Sequence, residues 1–214
     1  MIAIIGGTGD LGFGLALRWA KAGLNLIIGS RDGERAGAAA RRVLDEIGAG
    51  RVKGRENGRA AAAADIIVLA VPFAAQTATL AGVRSYCHGK VVVDTTVPLK
   101  KGDPTSLDLP AEGSAAERAA ALLGDEVSVV AGFHTVSARL LQDLAGDPAG
   151  DVAICGDHAE AKAMAFELVE RLGMRPVDCG PLRSAQTLER LTPLIIGLNK
   201  RYRRRHIGIR FSGL

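Results

Sequence analysis

The sequence is short of cysteine, of aromatic residues and of long apolar runs, and each shortage removes a class of protein. Its three cysteines, Cys87, Cys155 and Cys179, are odd in number and form no C-x-x-C pair. That argues against a disulfide scaffold or a zinc site, and for reduced thiols in a cytoplasmic setting. Aromatic residues make up 4% of the chain, too few for the base-stacking platforms of single-strand binders. No apolar stretch reaches the roughly 18 residues that would cross a bilayer, so no membrane partner is expected. Met1 runs at once into an apolar strand, and no signal peptide is expected ahead of it. No spacing of His, Cys, Asp or Glu reads as a metal site, a catalytic triad or a paired-carboxylate motif. The remaining composition, 48% hydrophobic and 23% charged over 214 residues, fits one globular domain, or one domain with a small addition. The net charge of +4 suits an anionic small ligand and does not by itself imply nucleic acid.

Glycine is plentiful, and one group of glycines is placed with purpose. The apolar run Met1-Ile2-Ala3-Ile4-Ile5 leads into Gly6-Gly7-Thr8-Gly9-Asp10-Leu11-Gly12, and an Ala/Leu-rich helical stretch follows. Gly7-x-Gly9-x-x-Gly12 is the dinucleotide-binding spacing. One glycine permits the tight turn, one clears the way to a pyrophosphate, and one lets helix and strand approach closely. The amides at the helix start then face the phosphates.

Along the chain, apolar strands alternate with helical segments. Helices are expected at 10–22, 32–47, 59–64, 74–80, from Ser114, from Ser137, at 159–172 and at 184–198. Strands are expected at 24–29, 66–71, 91–94, 127–131, 152–155 and 176–179. Segments 48–58 and 99–110 read as loops. Ser114 with Glu117 three residues on has capping-box spacing. Continuous apolar strands between helices predict an α/β fold of Rossmann type: a doubly wound, mostly parallel sheet over residues 1–150, with a small C-terminal α/β region over 151–214 packed against it.

The end of the second strand bears on the choice of nucleotide. Gly29-Ser30-Arg31-Asp32 stands where an NAD site usually has a ribose-binding acid. Ser30 and Arg31 suit a 2′-phosphate, with Arg35 one turn on and Thr8 inside the glycine turn, so NADP is preferred over NAD. Asp32 is expected to cap its helix. Other strand ends should line the same crevice: Val71-Pro72-Phe73, Thr95-Thr96-Val97-Pro98 and His134-Thr135-Val136. His134 reads as a structural or hydrogen-bonding wall rather than an acid or base. Tyr86 and Lys90 have Tyr-x-x-x-Lys spacing, but Gly89 between them makes a loop of the segment. The tract Lys200–Arg205 is open to three readings: a solvated helix end, a nucleic-acid patch, or an attractor for an acidic substrate tail.

These stretches together, with Cys155-Gly156-Asp157, Leu191-Thr192-Pro193-Leu194 and Gly208-Ile209-Arg210-Phe211, resemble the NADPH-dependent reductases of coenzyme F420, a deazaflavin. The resemblance runs nearly end to end. It implies reversible hydride transfer between NADP(H) and the deazaflavin, in a fold that is usually a homodimer. It implies that Gly7, Thr8, Gly9, Asp10, Leu11 and Gly12 form the phosphate turn, with Thr8, Ser30, Arg31 and Arg35 at the 2′-phosphate. Val71, Pro72, Phe73, Val97 and Pro98 would border the nicotinamide, and His134 and Val136 would pack near the deazaflavin ring as ring-positioning residues. No side chain is assigned as acid, base or nucleophile. An NADPH-dependent reductase of a flavin or pterin, and a non-catalytic NADP(H)-sensing protein, are the competing readings.

Overall fold

Ile2–Ile5 forms β1 with every residue buried, and the alternation of a strand divides its side chains between two cores. Ile2 and Ile4 join one apolar cluster, and Ala3 and Ile5 join another on the opposite face of the sheet. The computed structural model describes all 214 residues. After β1 come α1 (Asp10–Lys21), β2 (Asn25–Ser30), α2 (Gly33–Ile47), β3 (Arg51–Glu56), α3 (Asn57–Ala62), β4 (Ile66–Leu69), α4 (Phe73–Val83) and β5 (Val91–Asp94). A small hairpin follows, β6 (Leu99–Lys100) and β7 (Asp103–Leu107), then α5 (Ala115–Leu123), β8 (Ser128–Gly132) and α6 (Ala138–Gln142). The chain continues through β9 (Asp151–Gly156), α7 (Ala159–Glu170), β10 (Arg175–Asp178) and α8 (Ala185–Arg201).

The main sheet has the order β10-β9-β8-β5-β4-β1-β2-β3. The six strands from β3 to β8 are parallel, with Ile2 opposite both Leu26 and Ile66. β9 runs antiparallel to β8, and β10 parallel to β9. Residues 151–214 therefore contribute two strands to the same sheet, while α8 packs on the β6–β7 hairpin. The sheet is the doubly wound α/β arrangement expected from the alternating pattern. The order reverses at β1, which lies between β2 and β4, so the ligand crevice of this architecture opens above the β1 and β4 ends. No helix is long and apolar enough to cross a membrane.

Two segments read as loops from sequence are strands. The stretch 48–58 contains β3, an edge strand whose residues are largely exposed and charged, which hides the apolar alternation. Gly54 explains its position: a Cβ there would lie 2.2 Å from the Ala36 carbonyl carbon of α2. Only glycine lets the helix cross the strand at that distance. The stretch 99–110 contains the β6–β7 hairpin, turned through Gly102 at φ +84°. α3 begins at Asn57, before the expected Arg59, and α4 and α8 extend past their expected ends to Val83 and Arg201. The segment around Gly89 is a turn as expected, with Gly89 at φ +66°.

Helix α1 is fixed at its far end by two buried polar groups. Arg18 donates from Nε to the Leu141 carbonyl at 2.9 Å and from Nη2 to the Gly146 carbonyl at 2.8 Å. Trp19 Nε1 donates to the Leu168 carbonyl at 2.8 Å, and its ring meets Phe133 edge-on at 5.9 Å. The first helix is thereby tied to α6, to the loop after it, to α7 and to the end of β8. The crevice lies at the helix's opposite end.

Candidate functional site

The turn after β1 is held at backbone contact. Gly6, at φ +84°, lies against the end of β4, where a Cβ would stand 2.5 Å from the Ala70 carbonyl oxygen. Gly12 faces the turn from α1, where a Cβ would stand 2.8 Å from Gly6 O and Gly7 Cα. Gly9 differs: its added Cβ would meet only Gly6 O, at 3.4 Å. The protein's own packing bears harder on Gly6, Gly7 and Gly12, while Gly9 is exposed and borders open space.

The helix start behind that turn is left open. Phe13 is the first α1 amide bonded back, to the Gly9 carbonyl at 2.8 Å, and the amides of Asp10, Leu11 and Gly12 have no acceptor in the protein. The short α3 and α4, which also border the crevice, carry no side-chain cap either, whereas α2 and α5 close theirs. Asp32 Oδ1 accepts from the amides of Glu34 at 2.8 Å and Arg35 at 3.3 Å, capping α2. For α5, the Glu189 carboxylate accepts from Ala115 N at 2.9 Å and Ala116 N at 3.1 Å, and Ser114 Oγ accepts from Glu117 N. An uncapped helix N-terminus beside a glycine turn offers several amides and a positive dipole end to one anion.

Gly9, Thr8, Ser30, Arg31, Arg35, Val71 and Pro72 border one cleft of about 220 Å³, together with Asn57, Ala75 and Thr79. Arg31 and Arg35 are exposed and pair with no carboxylate. Ser30 is buried, its Oγ accepting from Asp32 N at 3.3 Å. Asn57 was missed in the sequence. Its Oδ1 is buried without a hydrogen-bond partner, an orphan that a ligand hydroxyl or amine would satisfy. The strand register places it there, because Ser30 pairs with Glu56 and Asn57 follows directly. That signal depends on recognising β3.

Gly7, Asp10, Leu11 and Gly12, in the turn and the start of α1, are not among the residues that border this cleft, and the other candidates lie outside it at neighbouring strand ends. Phe73 opens α4, and the Arg118 guanidinium covers its ring at 3.7 Å. Pro98 is buried and Val97 half-buried just after β5. Val136 is half-buried and packs against the main core, in a turn closed by its amide donating to Phe133 O. Phe133 takes φ +66° with 1% exposure, a costly backbone conformation for a bulky residue. His134 follows it, 8% exposed, with Nε2 buried and unpartnered. Burial pushes the imidazole down to about 4, with the Asp94 carbonyl acting the other way. His134 is therefore a neutral ring at ordinary pH.

Beneath these strand ends runs a polar network with no local sequence signature. Gln76 Nε2 donates to Asp94 Oδ2 at 2.6 Å and lies 2.8 Å from Thr96 Oγ1 and 2.9 Å from the Ala115 carbonyl. Arg118 Nε donates to Gln76 Oε1 at 2.8 Å, and Asp94 Oδ1 accepts from Thr96 N at 2.8 Å. The Phe73 side and the Thr96–Pro98 side are thus joined through one glutamine. Glu189 links α5 to α8, and from α8 Thr192 Oγ1 donates to the His134 carbonyl at 2.9 Å.

Burial pushes Asp94 up to about 6. Burial, with Asp94 and Glu117 nearby, pushes Glu189 up to about 8 against the pull of two amides. Both carboxyls therefore bind protons more readily folded than unfolded. Their stabilising contribution is complete below the ordinary carboxylate range and is lost as pH rises through about 6 and then about 8. The melting temperature is expected to fall between pH 6 and pH 8.5, and Glu189→Gln to reduce that fall. Scanning calorimetry at the two pH values reads the difference, and an identical fall in the variant would contradict the assignment.

Comparisons with known proteins place the chain in a family. A family profile described as "NADP oxidoreductase coenzyme F420-dependent" matches residues 1–98. The F420-dependent NADP reductase of Methanothermobacter marburgensis is 46% identical over 220 residues, covering 100% of this chain and 98% of the relative. That of Methanocaldococcus jannaschii is 40% identical over 221 residues, with the same coverage. A solved structure from Arthrobacter sp. FB24, described as a candidate F420-dependent NADP reductase, superposes with a TM-score of 0.84 at 27% identity, over 99% of this chain and 98% of that one. On identity that spans the whole chain, joined to an open glycine turn and its unpaired arginine rim, this protein belongs to the family of F420-dependent NADP reductases.

Proposed function

We propose that this protein catalyses reversible hydride transfer between NADP(H) and coenzyme F420, with the two rings meeting over the ends of β4, β5 and β8. The observation that carries the nucleotide half is a cleft bordered by Thr8 and Gly9 of the glycine turn and by Ser30, Arg31 and Arg35, with the open α1 amides following directly after Gly9 in the chain. The full-length similarity to F420-dependent NADP reductases supports the acceptor.

In this reading the amides of Asp10, Leu11 and Gly12 receive the pyrophosphate. Thr8, Ser30, Arg31 and Arg35 hold the 2′-phosphate, and Asn57 supplies a polar contact between them. Asp32 has one carboxylate oxygen engaged in its helix cap, which fits a subordinate role toward ribose. Val71, Pro72, Phe73, Val97 and Pro98 border the nicotinamide. His134 and Val136 face the deazaflavin as an uncharged wall. Both rings carry their own chemistry, so the side chains orient them, hold the reacting carbons at about 3–3.5 Å and keep water out. The Gln76 network serves that purpose by fixing the Phe73 and Pro98 segments to each other. A homodimer in the cytoplasm completes the proposal. The exposed apolar side chains of Leu194 and Tyr202 on and after α8 offer surface for association, and three unpaired thiols suit a reducing compartment.

An absorbance assay with NADPH or NADH against F420, FAD and FMN tests the reaction directly. NADPH with F420 is expected to react fastest, and no reaction with the deazaflavin would contradict the proposal. Arg31→Glu is expected to raise KM for NADPH by about ten- to a hundred-fold, the usual weight of one or two charge-assisted hydrogen bonds, while KM for NADH changes little. An unchanged KM for NADPH would remove Arg31 from the 2′-phosphate site.

The low proton affinity of His134 gives a pH prediction. Since this ring takes up a proton only near pH 4, it contributes no fall in the hydride-transfer rate between pH 8 and pH 5. His134→Ala is expected to lower that rate modestly. A limb near the ordinary histidine value that vanished in His134→Gln, measured by stopped-flow single turnover, would show acid–base work instead.

A further inference from the structure

The tract Arg203-Arg204-Arg205 has no role in the fold that its side chains account for. All three residues are exposed, and none of their guanidinium groups pairs with a carboxylate. The backbone that carries them is nevertheless fastened. Arg203 adopts φ +52°, and Arg204 N donates to the Asn199 carbonyl at 2.9 Å as α8 ends. Ser137 Oγ donates to the Arg205 carbonyl at 2.9 Å, and Ile207 N donates to Asn199 Oδ1 at 3.2 Å. Farther along, Asp151 N donates to Ile209 O, Phe211 N donates to Asp151 Oδ2 at 2.5 Å, and Arg175 Nη2 donates to Phe211 O at 2.6 Å. The tract is thus a strap held at both ends.

Its position is specific. Ser137 caps α6 and stands three residues after His134, and Thr192 of α8 holds the His134 carbonyl. The strap is therefore tied to the segment that follows His134, where the second ring is proposed to lie, and its arginines do not border the cleft of Arg31 and Arg35. Arg139, in the first turn of α6, is likewise exposed and unpaired. Arg139 stands two residues after Ser137, whose hydroxyl holds the Arg205 carbonyl, and unneutralised cations on adjoining segments are unfavourable without a counter-charge.

We propose that Arg203, Arg204 and Arg205, with Arg139, form a docking site for the anionic side chain of the deazaflavin substrate, its phosphodiester and γ-linked glutamates. This rests on the F420 reading above. The ring is aligned by the strand ends, and the arginine strap draws in and holds the flexible acidic chain that trails from it. Exposed ion pairs are individually weak and screened by salt, so the site acts on capture of the substrate and leaves the hydride step alone.

The test compares F420 carrying several glutamates with its tail-free ring-and-ribityl counterpart, in wild type and in an Arg203→Gln, Arg204→Gln, Arg205→Gln triple variant. In the wild type, KM for the tailed substrate is expected to rise with salt more steeply than KM for the tail-free one. In the triple variant, KM for the tailed substrate should rise about ten-fold relative to that for the tail-free one, the combined weight of three exposed ion pairs. Damage to the fold would affect both substrates alike and leave their ratio unchanged. Titrating the intrinsic fluorescence of each deazaflavin gives the same ratio as dissociation constants without requiring turnover. An unchanged ratio would overturn the docking site while leaving the F420 reading intact. Failure of the wild type to bind or reduce either deazaflavin would overturn both.

Discussion

Everything in the crevice depends on how closely α1 approaches the turn after β1. Gly6 and Gly12 occupy positions where a single Cβ would come within 2.8 Å of neighbouring backbone. That approach lets the first helical turn begin directly above the end of the central strand. The amides of Asp10, Leu11 and Gly12 remain unpaired there, a standing cost that an anion removes on binding. The other end of the helix is fixed by Arg18 and Trp19, both buried and both bonded to carbonyls far away in sequence. α1 is thus fixed at one end and open at the other.

The second constraint is a shared polar foundation. Gln76, Asp94, Thr96 and Arg118 connect the segments after β4 and β5, and Glu189 connects α5 with α8, which in turn holds His134. Three strand ends that could move independently are fastened to one another below the surface on which the rings would stack. This suits hydride transfer, which needs accurate placement of two planar molecules more than it needs a reactive side chain. The buried, neutral His134 fits the same requirement, since a charge beside the rings would favour one redox state over the other.

The parts of this arrangement that were legible in the sequence are those written in neighbouring residues. The glycine spacing, Ser30-Arg31, the Asp32 cap and the Ser114–Glu117 capping box each carry their geometry within a few positions. β3 was not legible, because an edge strand with charged residues on most positions loses the apolar alternation that marks a strand; its one clue, Gly54, acquires meaning only against α2. Asn57 was hidden with it. Gln76, Arg118 and Glu189 were invisible for a different reason: each is an ordinary polar residue on a helix, and the partners that give it a role lie up to 74 positions away.

The central claim is that this fold passes a hydride directly between two stacked rings with no side chain as intermediary. Deuterium placed at C4 of NADPH, on the face that is transferred, follows that path atom by atom in a single turnover with F420. The account predicts that the label is recovered at the deazaflavin carbon that accepts the hydride, with none released to water. Deuterium in the solvent, or its absence from the reduced deazaflavin, would contradict it.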